Sequence, residues 1–235
     1  MSNEYSVIPL ESNPEVFTNF ARKLGLNQQY VFTDIYSLTD PDLIGFIPTP
    51  VKAIILLFPI TAATELDKNT NNADVSKKPP IWFKQTVRNA CGLYAILHSL
   101  SNNKDLLKED CELEKYLETH IKEYNKYEDK ITSDFVVNIS NKNTEYFAEG
   151  QTSAPSAEGN VDLHYITFIE KDNDIYELDG RRLDGSKYLG KKSDLNSSNL
   201  LGESIVANRV QWYMDSADVD KKLHFSLLGL VPSWD

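Results

Sequence analysis

The chain has 235 residues, of which 41% are hydrophobic, so it is long and apolar enough to bury the core of one domain spanning 1–235. Its formal net charge of −11 opposes binding to nucleic acid and to anionic membranes. Two cysteines are too few for a disulfide framework, which indicates a reducing compartment. Because the first residues lack a basic n-region and an apolar h-region, we expect no secretory signal and a cytoplasmic protein that can also reach the nucleus.

The first 80 residues alternate short apolar segments with polar ones. The patterns predict a strand at 5–10, a helix at 14–24 capped by Ser12 or Asn13, a strand at 30–36, a short helix before Pro48 and a strand at 51–60 that is buried on both faces. The longest strongly apolar run, at 53–60, is far shorter than the roughly 20 residues that a membrane-spanning helix needs. Residues 61–80 are polar and end in two prolines, which predicts a surface loop.

The rest of the chain continues this alternation. We predict helices near 92–101, 112–126, 132–147 and 203–217, strands at 163–170 and 174–180, and a closing strand at 222–231. Residues 148–160 are small, polar and interrupted by glycine and proline, so they predict a long loop. This order of elements predicts an α/β or α+β fold in which helices flank one central sheet.

One of the two cysteines lies where a helix is predicted to begin. Asn89 is a suitable N-cap, Gly92 is small enough for close packing, and an apolar helical stretch follows Cys91. The N–H groups of a first helical turn and the helix dipole stabilise a thiolate, which favours Cys91 as a nucleophile. The alternative is that Cys91 only fills the core, as most free cysteines do.

Three of the four histidines are poor candidates for the base. His98 follows Cys91 by seven residues, which places it on the same helix face but about 10 Å further along the axis, beyond hydrogen-bond reach. We therefore predict that His98 is a packed helix residue. His120 lies in a charged stretch, where we expect it to be solvated, and His224 lies beside the closing strand.

His164 is the better candidate because an acid can reach it. A hairpin that turns at Asp172 and Asn173 places Asp179 diagonal to His164 on the same face of the sheet. An aspartate in that position fixes the tautomer of the imidazole and stabilises the imidazolium. The alternative is a histidine at a strand edge and an aspartate in a turn.

Gln85, six residues before Cys91, completes the candidate set. A thiolate that attacks a carbonyl creates an oxyanion, which needs donors such as a side-chain amide and the nucleophile's own N–H. A glutamine just upstream of the helix can supply one of them. Because the sequence has no C-x-x-C or H-E-x-x-H pattern and its histidines are scattered, we expect no metal site.

Four stretches together resemble the ubiquitin C-terminal hydrolases, a family of papain-like cysteine peptidases: "PLESNPEVF", "FKQTVRNACGLYAILHSL", "EGQTSAPS" and "LHYITFIEKDNDIYELDGRR". The chain looks most similar to the compact single-domain members found in fungi. The resemblance implies a papain-like fold with a central, largely antiparallel sheet flanked by helices. It also implies that Cys91 is the nucleophile and His164 the general base and acid. By the same resemblance Asp179 orients His164, Gln85 donates to the oxyanion, and no cofactor is required.

The resemblance also implies where substrate is bound. Residues 148–160 are expected to form a crossover loop over the active-site cleft that admits only a thin, flexible chain, whereas 61–80 match nothing in the family and are expected to be a variable insert. The residues implied to contact ubiquitin lie in three segments, Pro9, Leu10, Glu11, Ser12, Asn13 and Pro14; Glu149, Gly150, Gln151 and Thr152; and Phe225.

The implied activity is thiol-dependent hydrolysis, by a monomer, after the C-terminal glycine of ubiquitin or a ubiquitin-like protein. Small adducts and short peptide extensions are the expected leaving groups. The basic tail of ubiquitin fits the net charge of −11. Two alternatives stay open: a peptidase mainly for a Nedd8-type modifier, and a catalytically silent ubiquitin-binding module. The presence of Gln85, Cys91, His164 and Asp179 together argues against the silent module.

Overall fold

The computed structural model describes residues 5–69, 78–121, 128–144, 162–195 and 197–234. The helices are α1 (Pro14–Leu24), α2 (Pro41–Ile44), α3 (Ala62–Asp67), α4 (Cys91–Ser101), α5 (Glu112–His120), α6 (Asp129–Lys142) and α7 (Ser204–Asp215). The strands are β1 (Tyr30–Asp34), β2 (Ala53–Pro59), β3 (Leu163–Lys171), β4 (Asp174–Leu178), β5 (Lys187–Lys191) and β6 (Ser226–Pro232). Within these described ranges, no helix has the length and apolarity needed to cross a membrane.

The six strands form one antiparallel sheet in the order β1-β6-β2-β3-β4-β5. Strand β2 is buried on both faces, as predicted. Ile55 belongs to the apolar cluster that includes α1, α4, α5 and α6, whereas Ile54 and Leu56 belong to the cluster that includes α7. Because alternate side chains of a strand point to opposite faces, helices cover the sheet on both sides. The predicted fold class, helices around a central antiparallel sheet, is confirmed.

Strands β3 and β4 form a hairpin with the predicted register. The turn residues Asp172 and Asn173 both have positive φ, 53° and 65°, which asparagine and aspartate tolerate better than most residues. Thr167 lies opposite Leu178. Asp179, the residue after β4, therefore lies opposite Ile166 and on the same sheet face as His164.

Helix α4 begins at Cys91, and all eleven of its residues are buried. It packs on β3, where the Thr167 hydroxyl donates to the carbonyl of Ala95 at 3.1 Å. The prediction that Asn89 caps this helix is wrong. The N-cap is Ala90, which makes no side-chain cap, and Asn89 instead adopts a left-handed φ of 59° that turns the chain into the helix.

The prediction of a surface loop over 61–80 is wrong for its first part, which forms α3. Thr61 and Thr64 make a reciprocal capping box at its start. Six residues rarely form a stable helix alone, and α3 is held by ion pairs to distant residues that no local pattern reveals. Residues 70–77 lie outside the described part of the chain.

The predicted strand at 5–10 is also wrong. Only Ser6 forms an isolated parallel bridge, with Arg88. The N–H of Val7 donates to the carbonyl of Arg88 at 3.1 Å, and the N–H of Arg88 donates to Tyr5 at 2.8 Å. The N-terminal segment is therefore fixed beside the residues that lead into Cys91.

Strand β5 has no strand pattern in the sequence. It contains only five residues, "KYLGK", of which two are lysines and one is glycine, residue types that are depleted in strands. It pairs with β4 through a register irregularity between Ile175 and Tyr176 and forms one edge of the sheet.

Candidate active site

Cys91, His164 and Asp179 come together from three different elements. Cys91 is the first residue of α4, His164 lies near the start of β3, and Asp179 directly follows β4. His164 Nε2 lies 2.7 Å from Asp179 Oδ1, so the predicted histidine–aspartate pair is present. The same Oδ1 accepts the backbone N–H of Arg181 at 2.8 Å. The ring of Phe58 meets the imidazole edge-on, with centroids 5.7 Å apart, and holds it in place.

The electrostatics of this site favour a protonated imidazole. Burial alone lowers the pKa of His164, but the charge and hydrogen bond of Asp179 and the contact with Cys91 outweigh it and raise the pKa to about 9. Burial alone raises the pKa of Asp179, yet the charge and hydrogen bond of His164 and the Arg181 N–H hold it below its usual value. At neutral pH the site therefore contains an imidazolium beside the sulfur of Cys91.

Gln85 lines the same open cleft of about 250 Å³ as Cys91 and His164. Its Nε2 donates to the carbonyl of Val87 at 3.2 Å, which leaves a second N–H for another acceptor. Its Oε1 is buried and has no hydrogen-bond partner among the described residues. A buried oxygen without a hydrogen bond lowers the stability of the fold. Unsatisfied groups of this kind are found at functional sites.

Pro9 and Leu10, both predicted to contact substrate, have different positions. Pro9 lines the cleft beside Cys91. Leu10 is buried, and a Cβ on Gly92 would lie 3.0 Å from its Cβ, so Leu10 packs on the start of α4. The Tyr165 hydroxyl donates to its carbonyl at 3.2 Å. In this structure the Leu10 side chain supports the cleft wall instead of facing a partner.

The other predicted contacts that the structure describes are at the surface. Glu11, Ser12, Asn13 and Pro14 line an open groove of about 650 Å³ with Glu15, Asp34 and Trp234. Asn13 caps α1 by accepting the N–H of Glu15 at 2.9 Å, as predicted. The hydroxyls of Ser12 and Ser226 lie 2.6 Å apart and join this segment to β6.

Phe225 is half-buried immediately before β6 and packs against the α7 side of the core. Glu149, Gly150, Gln151 and Thr152, with the rest of the predicted crossover loop at 148–160, lie outside the described residues.

Two of the remaining histidines match their predictions. His98 is a buried residue of α4. His224 is exposed just before β6. His120 is half-buried at the end of α5, where its ring lies 5.2 Å from that of Tyr116, so it is less solvated than predicted. In the described ranges, no three His, Cys, Asp or Glu side chains are grouped to hold a metal ion.

A set of buried ion pairs behind Asp179 was not predicted from the sequence. Arg209 of α7 binds Glu177 of β4 with contacts of 2.6 and 3.1 Å, and also contacts Asp67 of α3. Lys187 of β5 reaches Asp67 at 2.7 Å. Charged residues scattered over more than 140 positions of sequence thus fix α3 against the strands that carry the site.

Arg209→Met is expected to destabilise the protein by about 3–5 kcal/mol, because Glu177 is then left buried without its partner. Urea unfolding at pH 7 measures this loss. The control is Lys142→Met, which removes an exposed pair with Glu112 and should cost about 1 kcal/mol or less. Equal losses for the two variants would show that the buried ion pairs do not stabilise the fold.

A cysteine at a helix start, a histidine on the neighbouring strand and an aspartate behind it define this chain as a cysteine peptidase by fold and site. Over residues 7–215 the sequence matches the family described as ubiquitin carboxyl-terminal hydrolase, family 1. The chain therefore belongs to the ubiquitin carboxyl-terminal hydrolases.

Individual relatives agree with this assignment. The chain is 48% identical to ubiquitin carboxyl-terminal hydrolase YUH1 of Saccharomyces cerevisiae over 98% of each protein. It is 31% identical to a probable ubiquitin carboxyl-terminal hydrolase of Dictyostelium discoideum, over 95% of this chain and 87% of that protein. The fold is similar to the catalytic domain of Trichinella spiralis UCH37 bound to ubiquitin vinyl methyl ester. The TM-score is 0.74 at 16% identity, over 98% of this chain and 97% of that one.

Proposed function

We propose that this protein is a thiol-dependent hydrolase that removes small adducts or short peptide extensions from the C-terminal glycine of ubiquitin or a ubiquitin-like protein. The observation that carries the proposal is the buried hydrogen bond of 2.7 Å between His164 and Asp179, with Cys91 in contact with the same imidazole. This arrangement supplies a nucleophile, a proton carrier and an orienting acid.

The first half of the reaction forms a thioester. The Cys91 thiolate attacks the carbonyl carbon of the terminal glycine, and the carbonyl electron pair moves to the oxygen. The backbone N–H of Cys91 and the free N–H of Gln85 donate to this oxyanion. His164 then gives its proton to the leaving nitrogen as the C–N bond breaks.

The second half releases the acyl group. A water molecule attacks the thioester carbonyl while the now neutral His164 accepts one of its protons. The C–S bond breaks, the terminal glycine leaves as a carboxylic acid that loses the second proton of the water to solvent, and the Cys91 thiolate and the imidazolium are restored. Asp179 keeps the imidazole in one orientation through both halves. These steps use only residues of this chain and water.

An acidic groove beside the cleft supports ubiquitin as the partner. Glu11, Glu15 and Asp34 line it, and Trp234, which is 72% exposed, contributes an aromatic surface. Opposite charges steer and orient two proteins more than they tighten binding. A basic ubiquitin tail therefore fits this side of the cleft, and the segment with Glu11 leads directly to Pro9 beside Cys91.

Substrate preference, oligomeric state and cellular location are further parts of the proposed function. We propose ubiquitin over a Nedd8-type modifier as the main substrate, a monomeric enzyme, and a cytoplasmic location with access to the nucleus. Both cysteines are free thiols, which supports a reducing compartment. A catalytically silent ubiquitin-binding module is the second candidate, and the intact histidine–aspartate pair argues against it.

A ubiquitin vinyl methyl ester probe tests the proposal directly. We expect mass spectrometry to locate a single adduct on Cys91, with Cys111 unmodified as the internal control. Parallel rates on ubiquitin and Nedd8 C-terminal fluorogenic amides then establish the preference between the two modifiers. Binding of ubiquitin without an adduct on Cys91 and without hydrolysis would instead support the silent module.

A further inference from the structure

An extended segment at 81–85 lies against α4 and belongs to no strand of the described sheet. Its buried backbone groups need hydrogen-bond partners, and two side chains one turn apart supply them: His98 of α4 and Asn102, the C-cap of that helix. Asn102 accepts from the N–H of Ile81 and donates to its carbonyl, both at 2.8 Å. His98 Nε2 lies 3.0 Å from the backbone N of Phe83 and 3.2 Å from its carbonyl oxygen. Either tautomer of His98 thus binds the backbone of Phe83.

The other side of this segment is bound to the residues that follow β4. The indole N–H of Trp82 donates to the carbonyl of Asp179 at 2.8 Å, and the backbone N–H of Gln85 donates to the carbonyl of Gly180 at 2.7 Å. A Cβ on Gly180 would lie 2.9 Å from the Cβ of Gln85, so this close approach requires glycine. Segment 81–85 therefore joins the helix of the nucleophile to the strand end that carries its acid.

We propose that His98 is a positioning residue for the reaction: it holds segment 81–85 on α4 so that the Gln85 amide faces the oxygen that becomes the oxyanion. Because His98 lies about 10 Å along the helix from Cys91, it acts through this segment and not on the thiol. The inference rests on the proposed role of Gln85 as an oxyanion donor.

A neutral imidazole suits this task. Burial lowers the pKa of His98 to about 4, against the hydrogen bond to Phe83 and the charge of Asp179, which raise it. The ring is therefore uncharged at neutral pH and can lie in the core. The Phe83 ring stacks on it at a centroid distance of 5.9 Å and an interplanar angle of 8°, which restricts its rotation.

The test compares His98→Leu with His98→Gln. Leucine keeps the apolar volume but cannot bond to the Phe83 backbone, whereas the amide of glutamine can reach the position of Nε2. We expect His98→Leu to lower kcat on a ubiquitin C-terminal amide about 10²-fold, as a misplacement near 1 Å does, with KM unchanged. His98→Gln should recover most of the loss. Ser99→Ala is the matched control, because this buried hydroxyl donates to Ala95 within the same helix, and its kcat should equal the wild-type value.

A double-mutant cycle separates positioning from general loosening of the core. Gln85→Ala is expected to lower kcat about 10²–10³-fold. If His98 acts through Gln85, adding His98→Leu to Gln85→Ala lowers kcat little further. Losses that multiply would overturn the positioning role while leaving the oxyanion role of Gln85 intact. An unchanged kcat in Gln85→Ala would overturn both, although Cys91 would still react with the probe.

A second variant keeps the test decisive if His98→Leu does not fold. Asn102→Ala removes the two hydrogen bonds between Asn102 and the backbone of Ile81 in the same segment. Asn102 is half-buried, so its truncation should be tolerated better than that of the fully buried His98. It should lower kcat and show the same lack of additivity with Gln85→Ala. Full kcat in a folded Asn102→Ala would then refute the inference that contacts between segment 81–85 and α4 position Gln85.

Discussion

Cys91→Ala is expected to lower turnover about 10⁵–10⁶-fold, the scale found when a covalent nucleophile is removed, while ubiquitin binding is retained. The substitution deletes the only atom that bonds to the substrate carbon. The acidic groove, which lies along Glu11 and Asp34, is untouched. Release of a fluorophore from a ubiquitin C-terminal amide measures turnover, and calorimetry with ubiquitin measures binding.

Cys111→Ala is the matched control for this experiment. Cys111 caps α5, where its sulfur accepts the N–H of Glu114 at 3.4 Å, and it packs against Gly25 at a distance from the cleft. Its loss should leave kcat unchanged. Residual turnover in Cys91→Ala near the wild-type rate would refute the assignment of the nucleophile.

Asp179→Asn is expected to lower kcat about 10⁴-fold with little change in KM. Asparagine has nearly the same shape as aspartate, but its amide cannot balance an imidazolium and can favour the wrong imidazole tautomer. The pH dependence provides the sharper measurement. Because Asp179 raises the pKa of His164 to about 9, the alkaline limb of kcat/KM should lie near that pH in the wild type and move to lower pH in the variant. A limb at the same pH in both proteins would contradict this coupling.

The same pair makes stability depend on pH. The pKa of His164 lies above its ordinary 6.5, so its contribution is complete below pH 6.5 and is lost as the pH rises through about 9. The pKa of Asp179 is lowered, so its contribution is present above its ordinary 3.8 and is lost at more acidic pH. Urea unfolding should therefore show the largest difference between wild type and Asp179→Asn near neutral pH, and a smaller one at pH 10.

The approach of Asp179 to His164 could be predicted from the sequence because its signals are local, whereas the catalytic roles of these residues were implied by the family resemblance. The parity of the β3–β4 hairpin depends only on the turn at Asp172 and Asn173, and this parity alone places Asp179 on the same face as His164. The position of Cys91 likewise follows from one helix start. The burial of β2 on both faces follows from its continuous apolar run.

Features that depend on tertiary partners could not be predicted in this way. Helix α3 is too short to be stable alone and depends on Arg209 and Lys187, more than 100 residues away. The left-handed φ of Asn89 replaces the cap that its residue type favours. His98 was correctly placed in the core, but its bond to Phe83 requires knowledge of how an irregular segment crosses α4.

Strand β5 also bears on how the protein behaves at high concentration. As an edge strand it exposes backbone groups that could pair with the sheet of another molecule and begin aggregation. Aggregation of this kind requires a flat, apolar edge. Three features disturb that edge in β5: the exposed Lys191, Gly190 at φ 152° and the irregular pairing with β4. Lysine and glycine are depleted in strands, so β5 could not be predicted from its sequence. The same two residue types make β5 a poor template for a fibril.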